Sequence, residues 1–531
     1  MAVHKLRKEA GPIGLLYASL GGMIGSGWLF GALHAAKLAG PMSLWSWVIG
    51  AVAVLLLALV YSELVTLMPK SGALVHLSHL SHGDLLGRIW GWILFLGYVS
   101  IAPVEVMAVL TYANNYLPGL VAPKTGLLTH LGFVVAIVSL GLIVALNLLA
   151  IRWVLWINSA VTWWKIAVPV ATIAVLLIYS HHPENLHAAA GHYEVAGTFT
   201  AVASAGVIFS FLGFRQAIDL AGETDNPARN IPLAVIGSVL IAAIIYIGLQ
   251  FAFLLALDPS DIGNSWNSLH FEGVSGPLAA LSLSVGATWW AVVLYADAIA
   301  SPTGTGFIYS TASSRITMAT GEMHTLPRSL ADVNARGVPV RALIVTFLAG
   351  AIFFFPFPSW QKLVGYISSV TVLSYGLGPI ILLHLRRTLP DAPRAFRLWW
   401  AWVLAPAAFI ISNWIILWTG FDTGNVLFGM IAVMFIAYAV YYYLGRRESK
   451  GGFGWLQIAW VFPYFGGLWL LLYYGPKVLG GHGQLGFGED MLLSALFSLV
   501  IMGLALATGV RAEDSAEYLA QLTAEPEEAA P

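Results

Sequence analysis

Apolar runs of about twenty residues or more recur along this chain from residue 13 to residue 510, and that recurrence decides the fold class before any motif is considered. A hydrocarbon layer about 30 Å thick takes roughly 20 apolar residues to cross as a helix. In lipid the backbone must satisfy its own hydrogen bonds, so spanning segments are helices or a closed barrel. The runs are continuously apolar rather than alternating, which predicts helices. Only 10% of the 531 residues are charged, against about 25% in soluble domains. The expected class is an all-α polytopic membrane protein. The chain has no cysteine, so disulfides, thiolate metal sites and cysteine nucleophiles are excluded. A formal net charge of −1 gives no footing for nucleic acid. The first apolar run is too long for a cleavable signal peptide.

Fourteen spans are expected, at 13–38, 42–68, 89–116, 127–149, 153–179, 199–222, 232–257, 277–314, 339–356, 363–385, 399–418, 426–444, 455–475 and 488–510. An even number places both termini on one side. With the N-terminus inside, 19 of the 25 basic residues are cytoplasmic, and Lys124, Lys362 and Lys477 alone are outside. The positive-inside rule therefore predicts cytoplasmic termini and a multi-pass protein of the cell (inner or plasma) membrane. The acidic, Ala-rich end "RAEDSAEYLAQLTAEPEEAAP" reads as a solvated, poorly ordered tail.

Two spans carry glycine where a helix does not want it. "GGMIGSGWLFG" puts five glycines into eleven residues midway along the first span. Each costs about 1 kcal/mol against alanine in a helix interior. Close packing of helices through small residues is one account. A broken helix is the other, in which free N–H groups take an anion and freed carbonyls take an ammonium or cation. The sixth span, with Gly206, Ser210 and Gly213 near its middle, favours the break. Spans one and six each open a set of five, and interrupted spans at matching places in two halves point to a transporter site.

At these places the chain resembles the amino acid–polyamine–organocation (APC) superfamily of permeases. "GGMIGSGWLFGALHAAKLAGP" resembles the family's first helix, and "YSELVTLMPKSGALV" the end of its second. "FSFLGF" followed by "GETDNPARNIPLAV" resembles its sixth helix and the loop after it, and "LRRTLPDAPRAFRLW" the basic loop after helix ten. The resemblance implies a leucine-transporter-type 5+5 inverted repeat with helices one and six broken, here with about four extra C-terminal helices. It implies a first repeat at 13–180, a second at 199–387 and further helices at 388–510, with an N-terminal tail at 1–12, an extracellular loop at 181–198 and a C-terminal tail at 511–531. It assigns the substrate carboxylate to Gly25, Ser26 and Gly27 and the amine to carbonyls near Ile24 and Phe209. Phe209 or Phe211 would serve as a gate, with Ser210 and Gly213 in the same broken stretch. The implied function is secondary transport of an amino acid, coupled to protons, by alternating access.

Ionisable residues inside spans need an account, because a charge at mid-bilayer costs about 2.5–3.5 kcal/mol on the insertion scale. Lys165 lies midway along span five, where the resemblance implies a lysine in proton-coupled members and sodium in others. It either gains and loses a proton or is a permanent charge pinned to carbonyls of helices one and eight. Asp297 and Ser301 share a face of span eight, with Thr305 one turn on. Ser301 and Thr303 are expected near Lys165, and Asp297 to pair with Lys165 or Arg215 or to relay a proton. Glu105, after Pro103 in span three, is a second protonatable candidate. Arg215 stands where many members of that family have an acidic or small residue. It can grip a second substrate carboxylate through two bonds, favouring aspartate or glutamate as in bacterial aspartate–proton symporters, or form an i,i+4 pair with Asp219.

Other signals are weaker. His76, His79 and His82, and His181, His182, His187 and His192, read as loop histidines without a metal-ligand framework. No Walker loop, dinucleotide fingerprint or nucleophile elbow occurs, so no cofactor and no enzymatic activity are expected. The expected partners are a small amino acid, protons and the lipid bilayer; a homo-oligomer is compatible with the sequence. A same-fold carrier of potassium or polyamine, a non-transporting receptor and, remotely, a polytopic enzyme stay open as alternatives.

Overall fold

The structure, a computed structural model, describes residues 11–69, 73–122, 125–148, 151–187, 195–263, 265–269, 271, 276–322, 328–334, 338–445 and 454–524. Expectations for residues 1–10, for His192 and for Lys124 fall outside the described residues.

The described chain is helical. The first span is two helices, α1 (Pro12–Met23) and α2 (Gly27–Ala39), with residues 24–26 between them. Then come α3 (Ser43–Leu67), α4 (Ala73–Val99), α5 (Ile101–Ala113), α6 (His130–Ala145) and α7 (Ile151–Tyr179). The second broken span is α8 (Val195–Ser204), α9 (Val207–Phe211) and α10 (Gln216–Asp219), bent by 46° at its break. It is followed by α11 (Pro227–Ala256), α12 (Pro259–Ile262), α13 (Pro277–Ser284), α14 (Thr288–Glu322), α15 (Val340–Ile352) and α16 (Trp360–Thr388). The rest is α17 (Ala401–Trp418), α18 (Phe421–Gly445), α19 (Trp455–Ile458), α20 (Val461–Tyr474), α21 (Phe487–Thr508) and α22 (Ala512–Ala524).

All fourteen stretches expected to span are helical. Among the described residues, ten helices are long and apolar enough to cross a membrane, or eleven with the bent pair counted as one. Among those that fall short are α1, which stops at the break, and α15, of 13 residues. Burial sorts the helices. The apolar stretch of α16 is wholly buried, whereas 28% of the corresponding stretch of α6 and of α21 is. A helix apolar all round with most of that surface uncovered fits contact with lipid, since water would oppose it. Around the two broken spans, α1 packs on α11 and α7, α5 on α14, and α16 on α3 and α4.

One buried ionic hub ties this frame together. Glu63 of α3 accepts two bonds from Arg386 (Nε 2.9 Å, Nη2 2.6 Å) and the Leu398 amide (2.7 Å), with Arg394 Nε at 3.2 Å. The second-helix glutamate and the basic loop after helix ten, separate in sequence, thus meet in space. Arg394 also donates to the Leu385 and Leu389 carbonyls, both at 2.9 Å, stopping the end of α16.

Two expectations need correction. His76, His79 and His82 lie in α4, which begins before the expected span, and His82 is buried. Residues 512–524 are α22 rather than a wholly solvated tail. Ser515 donates to the Leu80 carbonyl (3.1 Å), and the Tyr518 ring stacks on His79 at 4.1 Å. Acidic residues on one side of α22 and Tyr518 and Leu519 on the other let it dock by its apolar stripe.

Candidate functional site

The end of α1 poses a definite question, because the last four carbonyls of a helix lack partners within it. Leu20 O accepts the Ile24 amide (2.9 Å). Gly21 O accepts Lys165 Nζ (2.7 Å). Met23 O accepts the Gly25 amide (3.0 Å) and the Tyr246 hydroxyl (3.1 Å). Lys165 also donates to Thr305 Oγ1 (2.7 Å), whose hydroxyl faces Gly21 O at 3.3 Å. The lysine charge therefore rests at the negative end of α1's dipole.

The start of α2 poses the converse question, of its amides. The Ser26 amide donates to Glu105 Oε2 of α5 (2.8 Å), and both residues are buried. Glu105 Oε1 has no hydrogen-bond partner among the described residues. A Cβ added to Gly25 would stand 2.5 Å from that oxygen and 2.9 Å from Thr305 Oγ1, so only glycine admits both groups to the break. Ser26 Oγ accepts Trp360 Nε1 (2.8 Å). Trp360 stacks on Phe30 (4.7 Å between centroids) and His34 (5.5 Å) and meets Phe209 edge-on (6.2 Å).

The second break lies against the first. Gly206 adopts φ 93°, and its carbonyl accepts the Ser210 amide (3.0 Å) and hydroxyl (2.7 Å). The Tyr246 hydroxyl reaches Ser210 O (3.2 Å) as well as Met23 O, so one side chain of α11 spans both breaks. A Cβ on Gly27 would fall 2.2 Å from Ser210 Oγ, and one on Gly213 would fall 2.2 Å from the Gly22 backbone. The glycines thus do both things weighed in the sequence: Gly25 lies in the break, while Gly22 and Gly213 carry the helix crossing.

Ile24, Gly25, Ser26, Gly27, Phe209 and Ser210 are gathered here with Lys165 and Glu105. Phe211 is not; it packs on Tyr246 (5.2 Å) and Trp47 (6.1 Å), behind the break. Thr305 rather than Ser301 or Thr303 holds Lys165. Ser301 donates to Asp297 Oδ1 (2.6 Å), and Thr303, two residues before Thr305, is turned about 200° away on the helix. Asp297 is not within ion-pair distance of Lys165 or Arg215 among the described residues, so of the roles expected for it neither ion pair is formed.

Arg215 lies apart from the break. Its guanidinium stacks 3.6 Å over the Tyr98 ring, and Nε donates to the Tyr98 hydroxyl, which itself donates to Asp219. The expected pair with Asp219 is present through Nε at 3.8 Å. Neither terminal nitrogen has a hydrogen-bond partner among the described residues, although the side chain is 2% exposed. Trp360, Tyr246 and Tyr98 were not singled out from sequence. Aromatic residues are common in spans, and nothing local says which way a uniformly apolar helix turns them.

Two interrupted spans set side by side among the described helices, with charged groups at bare peptide ends, have the arrangement of a membrane transporter site. Family comparison makes this specific: residues 11–441 match the amino acid permease model. The chain is 37% identical to the glutamate/serine transporter AimA of Bacillus subtilis, over 99% of each chain. It is 32% identical to the aspartate–proton symporter of the same organism, over 93% of this chain and 95% of that one. The branched-chain amino acid permease BcaP of B. subtilis is 27% identical over 84% of this chain and 94% of its own. The chain belongs to the amino acid permease family of the APC superfamily, and it is a multi-pass transporter of the cell membrane.

Proposed function

We propose that the chain is a proton-coupled amino acid transporter that prefers acidic substrates and works by alternating access about the two breaks, with an inverted 5+5 repeat and cytoplasmic termini. The observation that carries the reading is the bond from the Ser26 amide to Glu105. The Gly25–Gly27 amides are where the family resemblance assigns the substrate carboxylate, so Glu105 competes for a donor the substrate needs. Two carboxylates at one buried amide cannot both stay ionised. Arrival of a substrate carboxylate is thereby linked to protonation of Glu105. Lys165, holding Gly21 O and Thr305, secures the end of α1 while charged and frees it on giving up its proton. Ile24 and Phe209 supply carbonyls for the amine, Trp360 covers the break with Phe209, and Asp297 with Ser301 stands by as a further proton acceptor.

For the acidic preference, the substrate's second carboxylate is assigned to Arg215, whose two nitrogens without a hydrogen-bond partner among the described residues form a fork suited to it once the side chain leaves Tyr98 for the break. Two relatives, a glutamate/serine transporter and an aspartate–proton symporter, support it. The test is uptake of labelled aspartate into proteoliposomes under an imposed pH gradient, with all twenty amino acids as competitors. Saturable accumulation, strongest with acid outside and blocked best by aspartate or glutamate, is expected. Arg215→Gln should shift the competition toward neutral amino acids. Uptake indifferent to the gradient would end the coupling, and neutral uptake without competition by aspartate would end the acidic preference.

A further inference from the structure

Away from the breaks, two adjoining cavities open along about the first four turns of α11. The first, of about 470 Å³, runs between Pro232, Ile236, Gly237 and Leu240 of α11 and Phe396 of the loop before α17. The second, of about 420 Å³, reaches toward Leu16 of α1 and is lined by Asp225, Asn226 and Asn230. Arg229 and Leu233 line both. The trough's charged and amide side chains therefore all lie at one end, among Pro12, Ile13 and Leu16 of α1, and beyond Arg229 the lining is apolar. Its apolar floor rises about 12 Å from Pro232 to Leu240 on helical geometry. Leu233 and Leu240 are about half exposed along it.

Arg229 and Asp225 carry opposite charges into the end beside α1, yet they are not within ion-pair distance of each other among the described residues. Among the described residues, the donor to Asp225 is a neutral one, Asn230 Nδ2 (2.6 Å). Two opposite charges held apart at the head of an apolar groove match an amphiphile with both charges in its own head. We propose that this trough binds a membrane phospholipid with a primary ammonium headgroup, of the phosphatidylethanolamine type. Arg229 takes the phosphate, Asp225 the ammonium, and an acyl chain lies along Ile236, Gly237 and Leu240 against Phe396. A quaternary ammonium offers no N–H to Asp225, and a glycerol headgroup offers no positive charge. The Phe396 amide is tied to Thr66 Oγ1 (3.4 Å), one turn from Glu63, so the lipid would brace the loop that closes the ionic hub.

Native mass spectrometry of the full-length protein with equimolar phosphatidylethanolamine, phosphatidylcholine and phosphatidylglycerol of matched chains tests this. Ethanolamine lipid should be retained about tenfold over choline lipid, the size of one charge-assisted hydrogen bond. Asp225→Asn should erase that difference, and Arg229→Gln should lower retention of both. Gly237→Leu, whose Cβ meets only Leu16 Cδ1 at 3.5 Å, should fill the groove and displace the chain. Equal retention of the ethanolamine and choline lipids by the unmodified protein, or stronger retention of the glycerol lipid, would overturn the proposal. A preference that survives Asp225→Asn would do so too.

Discussion

Lys165 and Glu105 carry opposite charges beside the first break, yet each hydrogen-bonds to other groups rather than to its opposite. Lys165 has two hydrogen bonds of 2.7 Å, and Glu105 accepts the Ser26 amide at 2.8 Å. Hydrogen bonds to charged groups contribute about 1.5–3 kcal/mol each, so two of them offset the roughly 2.5–3.5 kcal/mol insertion cost of a mid-bilayer lysine. That balance lets Lys165 be tolerated at the break and still be released. Lys165→Ala should abolish proton-driven accumulation while exchange of labelled for unlabelled substrate persists in proteoliposomes. Surviving accumulation in that variant would remove Lys165 from the coupling. If Glu105 must be protonated before substrate takes the Ser26 amide, binding strengthens as pH falls. Glu105→Gln should then bind substrate at high pH as the unmodified protein does at low pH, with a dissociation constant that no longer varies with pH in calorimetric titration. Both residues were legible as charges in apolar runs. Their partners were not, because a carbonyl freed at the end of α1 is a property of where the helix stops.

At the scale of elements, the two broken spans are held by contact as much as by hydrogen bonds. Gly213 brings its segment against the Gly22 backbone so closely that an added Cβ would overlap it at 2.2 Å. Overpacking costs about 1–3 kcal/mol even where side chains can shift, and here the obstacle is backbone. Gly213→Ala should lower the melting temperature and slow uptake, measured together on the purified protein. The Glu63 hub fastens α3 to the end of α16 and the following loop. Removing one partner of a buried ion pair costs about 3–5 kcal/mol, since the remaining charges lose their counterion. Glu63→Gln should therefore destabilise the protein markedly in thermal unfolding, and uptake by the protein that stays folded would show whether the hub also matters in transport. The sequence held both ends of this hub, but 323 residues separate Glu63 from Arg386, and only the packing of α16 on α3 joins them.

At the scale of the whole molecule, α22 docks on α4 far from the breaks. Besides the Ser515–Leu80 bond, the Tyr518 hydroxyl lies 3.2 Å from His76 Nδ1. Deleting the chain beyond Val510 should lower the melting temperature while leaving the competition pattern among amino acids unchanged; an altered pattern would tie α22 to the site. Helix class, membrane setting, family and the position of the first break were legible in the sequence alone; the second was placed only within Gly206–Gly213, and it falls at Ala205–Gly206, with Ser210 and Gly213 helical. Hydropathy and glycine act through local backbone physics, and lipid leaves a chain few ways to satisfy its amides. Which side chains meet at the breaks was decided by tertiary structure. Helices this uniformly apolar carry no stripe to say which face turns inward, and the rotation that brings Thr305 rather than Thr303 to Lys165, and Trp360 over Ser26, comes only from packing of every helix against its neighbours.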